Sequence, residues 1–177
     1  MLHTYLVRPL PFPDPDRLVA VTPAPTLHDL PGAPSLRDVD WRAADSLFES
    51  TAAYDLDGFT IPGEQGAISV TGAWVSSGFF PTFGLRVGIG RGFRSDEYVA
   101  SSPVAIISHD LWVRRFGADS GIIGSAIAAY SNDRPSSASH VTIIGITPRS
   151  YWPLHWRESD MLRPLPPENV MPQLARL

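Results

Sequence analysis

Proline decides where this chain of 177 residues can carry regular structure. It holds 18 prolines, gathered towards the two ends: Pro9, Pro11, Pro13 and Pro15 early, Pro164, Pro166, Pro167 and Pro172 late. A proline ring fixes φ, removes a backbone donor and disfavours helix at the residue before it. The run Arg8-Pro9-Leu10-Pro11-Phe12-Pro13-Asp14-Pro15-Asp16 can neither propagate a helix nor sit in a central strand, so residues 1–16 are expected to be a connector. Residues 147–177 hold six prolines and are expected to be an irregular tail.

Between these ends there is material for a core. Apolar residues make up 44% of the chain and aromatics 10%, against only 18% charged, a balance that favours folding over disorder. The net charge of −4 gives no basic face for nucleic acid. The absence of cysteine excludes disulfides and thiolate zinc sites. No secretory leader is legible in the first ten residues. Residues 66–85 are free of charge and long enough to span a bilayer, but their Ser, Thr and Gly content and Pro81 argue against a membrane helix.

Periodicity and punctuation predict an α+β order. Residues 17–22 read as a strand. Ser35 caps a helix running to Ser46, with Leu36, Val39 and Trp41 on its apolar face. Residues 48–61 read as an irregular strand turned at Pro62-Gly63, and residues 67–75 as a strand with Ile68, Val70 and Gly72 on one side. Ser76 or Ser77 then caps a short helix ended by Gly84. Residues 85–97 read as glycine-rich turns. A buried strand follows over 103–107, then a helix from Ser108 to Phe116 with Arg114 and Arg115 in its last turn and Gly117 closing it. Strands at 125–130 and 140–146 are expected to pair antiparallel.

No residue pattern points to catalysis. Gly88, Gly90 and Gly92 are spaced as G-x-G-x-G, not as the dinucleotide fingerprint, and no phosphate-binding G-x-x-x-x-G-K-[ST] occurs. His3, His28, His109, His140 and His155 show no metal-ligand spacing. Ser108-His109-Asp110 has the residue types of a hydrolase triad, but neighbours at a helix start diverge where a triad must converge. Asp14/Asp16 and Asp96-Glu97 read as solvated loop carboxylates. No catalytic, cofactor-binding or metal-ligating residue is therefore expected. Trp152 and Trp156 are open to two readings, anchoring the tail or lying near a membrane interface.

Several segments together resemble one family. They are Leu6-Val7-Arg8-Pro9-Leu10-Pro11-Phe12-Pro13, Asp40-Trp41-Arg42, Val75-Ser76-Ser77-Gly78-Phe79-Phe80-Pro81-Thr82-Phe83-Gly84, Gly90-Arg91-Gly92-Phe93, Val104-Ala105-Ile106-Ile107-Ser108-His109-Asp110-Leu111-Trp112 and Val141-Thr142-Ile143-Ile144-Gly145-Ile146. In number and order they are similar to the MacB-like periplasmic core domain of MacB/FtsX-type ABC transporter permeases, especially the acidobacterial subgroup. The resemblance implies a domain on the extracytoplasmic side of the bacterial cytoplasmic membrane, following a first transmembrane helix. It implies a porter-like β-α-β-β-α half-lobe over 17–84, a smaller inserted β-rich lobe with one helix over 85–148, and a tail over 149–177. The chain then reads as a truncated member. Its implied role is transmission of conformational change during export, without enzymatic activity. Its implied partners are the transmembrane helices and ATPase of the permease, a periplasmic adaptor protein and a second copy in a homodimer. The competing expectations are a small-ligand, carbohydrate- or peptide-binding module, or a hydrolase. A deep cleft joining His109, Asp110 or Asp96 would favour the hydrolase, and an exposed row of aromatics the binding module.

Overall fold

A computed structural model describes residues 15–20, 48–63, 66–99, 102–137, 139–149, 159–166 and 174–176. The expected helix at 35–46, most of the connector, and Trp152 and Trp156 lie outside them. The described strands are β1 (Leu18–Ala20), β2 (Ser50–Ala52), β3 (Tyr54–Ile61), β4 (Ile68–Val75), β5 (Ile89–Gly90), β6 (Val104–Ile107), β7 (Ala126–Ala128), β8 (Tyr130–Ser131), β9 (His140–Ile146), β10 (Ser159–Pro164) and β11 (Leu174–Arg176). The described α-helices are α1 (Phe79–Phe83), α2 (Ser95–Val99) and α3 (His109–Phe116). The α+β class read from the sequence holds. A small sheet runs β1-β11-β2, and the main sheet runs β5-β9-β6-β10-β4-β3-β8, with β7 also on β9.

The main sheet closes on itself. β7 and β8 are two halves of one extended run, separated only by Ala129. Ser125 O accepts from Ile143 N, and Ala129 N donates to Ser139 O, so odd-numbered residues of this run face β9 with their polar groups. Asn132 N donates to Gly58 O, and Tyr130 stands opposite Thr60, so even-numbered residues face β3. In an extended strand these are opposite edges. The run 126–131 thus joins β9 to β3 and completes a ring in the order β3-β4-β10-β6-β9-β7/β8. Closure shortens the free edges that an open sheet would leave, with β8 meeting β3 at Phe59 and Thr60.

Side-chain alternation sorts the apolar residues into an inside and an outside. Phe59, Ile61, Val70, Trp74, Ala105, Ile107, Ala129, Val141, Ile143 and Met161 fill the interior. Ala73, Val75, Val104, Ile106, Ile144 and Leu162 point outward and are covered by Phe79 and Phe83 of α1, with Leu85, Val87 and Phe93 alongside. α3 stops one end of the barrel: its Leu111 is fully buried in the interior cluster, with Trp112 and Phe116 packed beside it.

Local chemistry explains the short elements. Ser108 caps α3 as expected, its Oγ accepting from Leu111 N at 2.9 Å, and Gly117 ends the helix in the left-handed region at φ 60°. α1 departs from expectation at its start. Gly78 is the N-cap, and the Ser76 hydroxyl instead accepts from Ala53 N at 2.9 Å. A Cβ on Gly78 would lie 1.8 Å from Thr51 O, so only glycine lets α1 close on β2.

Residues 85–97 are more ordered than turns. Gly90, at φ 81°, pairs with Gly145 in β5, and α2 begins at Ser95. Glu97 is buried on α2, not solvated as expected from sequence: Arg91 reaches it with both arms at 2.9 and 2.6 Å, and Arg94 N donates at 2.7 Å. Asp96 is exposed.

The largest correction falls on the expected tail. Ser159–Pro164 is the central strand of the barrel, buried at every position, parallel to β4 and antiparallel to β6. Leu174–Arg176 pairs with both β1 and β2. Residues from 17–84, 85–148 and 149–177 thus share one sheet.

Two outcomes follow. Leu162→Ala should cost about 2–5 kcal/mol in urea unfolding, the range for a filled core site; a tail position would cost under about 0.5 kcal/mol. The Arg91 hydrogen bonds hold the Glu97 carboxyl below the usual carboxylate range. A depressed folded pKa stabilises above the unfolded value, about 4.3, and that contribution is lost as pH falls through the folded value. The stability advantage of the native chain over Glu97→Gln should therefore be full at pH 7 and shrink below about pH 4 in a pH series of denaturant melts.

Candidate functional site

The barrel's two ends carry its buried charges. At the α3 end, Ser108 donates through Oγ to Asp160 at 2.7 Å, Ser108 N donates to Asp160 O at 2.9 Å, and Arg114 donates to the second carboxylate oxygen. Asp160 thereby fixes the start of α3 to β10. His109 is turned elsewhere, its Nδ1 3.8 Å from Asp110 and its ring edge-on to Trp112 at 5.4 Å. Among the described residues the Ser108 hydroxyl bonds to Leu111 N and Asp160, and to no histidine. The adjacent Ser-His-Asp residues therefore do not converge.

At the opposite end the strands bring together charges far apart in sequence. Asp55 and Asp57 follow one face of β3, Trp74 lies on β4 and Arg163 on β10 beside it. Trp74 Nε1 donates to Asp57 at 2.7 Å. The guanidinium of Arg163 lies 4.4 Å from the centre of the Trp74 ring and that of Arg134 4.9 Å from it, a cation–π arrangement. Arg163 is 1% exposed, and burial pulls its pKa down to about 10. Arg163 donates to Ser137 Oγ at 3.4 Å, and Arg134 to Asp55 at 2.6 Å. Asp57 also accepts from the Ser131 hydroxyl and from Asp133 N at 3.2 Å.

Three donors occupy the Asp57 carboxylate. A general base needs a lone pair aimed at a substrate, whereas Asp57 receives an indole, a hydroxyl and an amide. Asp57 also borders an open groove of about 360 Å³, lined with it by Leu56, Gly58, Thr71, Gly72, Asp133 and Ser159. His109, Asp110 and Asp96 do not line it. No cluster of three or more His, Asp or Glu suited to a metal ion occurs among the described residues. None of their helices is long and apolar enough to cross a membrane, and the uncharged stretch at 66–85 forms β4 and α1. Sequence reasoning missed Asp57, Trp74, Arg134 and Arg163 as a group. Their one signal was the two acidic residues at alternate positions of β3, and nothing local announces the arginines that meet them.

Comparison with known proteins places this architecture. The model of the MacB-like periplasmic core domain matches residues 4–165. The fold is similar to the extracellular domain of the noncanonic ABC-type transporter YknZ from Gram-positive bacteria, at 17% identity and TM-score 0.61, covering 90% of this chain and 81% of that one. It is also similar to the periplasmic region of MacB from Actinobacillus actinomycetemcomitans, at 11% identity and TM-score 0.57, covering 90% of this chain and 73% of that one. Among curated proteins none matches significantly. The fold these structures share and the family match along nearly the whole length make this chain a member of the MacB-like periplasmic core domain family, the extracytoplasmic portion of ABC transporter permeases.

Proposed function

We propose that this domain is a stiff external lever, passing ATP-driven movement of its permease to a partner and performing no chemistry itself. The closed barrel carries the reading. The wall strands are joined in a ring, the interior is filled by side chains, and both ends are tied by buried charges. A close-packed interior transmits displacement because it deforms little. Force then moves the body as a unit, and the coupling is a shift between two arrangements of the whole domain.

The antiparallel pairing of Leu18 with Arg176 sets the entry to β1 beside the exit from β11. A domain hung from one membrane face needs that geometry. A periplasmic adaptor protein and a second permease copy are the partners this reading assigns, on the family's analogy.

The test uses the full permease with spin labels at Val99 and Tyr130, both exposed. Their mutual distance should stay fixed between nucleotide-free and ATP-bound states. The distance from Val113, also exposed, to a label on a transmembrane segment should shift by several ångström. A change between Val99 and Tyr130 as large as the external one would sink the lever.

A further inference from the structure

The link between β8 and β9, residues 132–137, crosses the barrel end that holds Trp74 and Arg163. It is fastened there by polar contacts: Asp57 takes the Ser131 hydroxyl and Asp133 N, Arg134 N donates to Ser131 Oγ at 2.8 Å, and Arg134 bonds Asp55. Ser137 Oγ receives Arg163. None of residues 132–137 is buried, and the carboxylate side of the outermost fastening, Asp55, is 59% exposed. Beneath them Trp74 and Arg163 are 3% and 1% exposed. The segment has no buried side chain of its own and is held by polar contacts, to Asp55 and the buried Asp57, and by the Arg134 guanidinium over Trp74, so it opens at a lower free energy than the packed wall under it.

We propose that residues 132–137 form a strap, latched by Asp55–Arg134, which opens independently of the barrel and uncovers the Trp74–Arg163 pair at its mouth. The closed state holds a tryptophan face and a guanidinium out of water. The open state exposes both to water, while the barrel wall keeps its shape. Release depends on ionic strength, because the latch is screened where the interior is not. The inference stands apart from the lever reading, since a strap can open on a domain of any function.

Hydrogen exchange of the full chain tests it. Asp55→Asn removes the latch at an exposed position, where folding is not at risk. Amides of residues 132–137 should then exchange about threefold to tenfold faster. The Trp74 indole proton should speed up with them. Amides of Leu162 and Ile106 in the wall, and the unfolding midpoint, should hold. In the native chain 1 M salt should bring the strap towards the Asp55→Asn rate. Arg134→Gln should reproduce the variant from the other side. Unchanged strap exchange in both variants, or strap and wall accelerating in step, would overturn the proposal.

Discussion

The barrel rests on strand β10, and β10 rests on two compensated charges. Among the described strands it bridges β4 and β6, and without it the ring opens between them. The strand is buried throughout, yet it contains Asp160 and Arg163. A buried charge with no partner costs several kcal/mol, enough to expel the strand. Each is met by a different part of the chain: Asp160 by Ser108 and Arg114, Arg163 by Trp74 and Ser137. The strand that closes the wall therefore also fixes what lies over each opening.

This arrangement explains why some elements were legible in the sequence and others were not. α3 has a serine cap, a basic last turn and a terminal glycine, all local signals, and it stands where they put it. β4 was legible in its first half, where Ser69 and Thr71 face water between Ile68 and Val70; from Gly72 on, both faces are buried. β10 has burial on both sides, two charges and a terminal proline, so no alternation betrays it. Of the six prolines that suggested a tail, Pro148 and Pro153 precede it and the other four lie at or beyond its end. α2 spans five residues, too few for a helical period, and its main determinant is Arg91, six positions before Glu97. Ring closure at Ala129 had no local mark at all, because it depends on which neighbour each edge of one strand meets.

The segments that carried the family resemblance turn out to hold shape. Arg91 clamps Glu97, Gly78 lets α1 approach β2, Ser76 ties the end of β4 to Ala53, and Ser108 joins cap and strand. None is aimed at a vacant reaction centre. In a transporter's external domain, selection on form alone is enough to produce such residues.

The seam between β4 and β10 has a consequence for biosynthesis. Thr71 lies beside Ser159, so the wall cannot close until most of the polypeptide has left the ribosome. High contact order of this kind slows folding. In the meantime the emerging β3–β4 hairpin presents a bare apolar side and an unpaired edge, a template for wrong pairing between nascent chains. The late arrival of a single strand leaves that edge exposed until the last part of the wall has emerged.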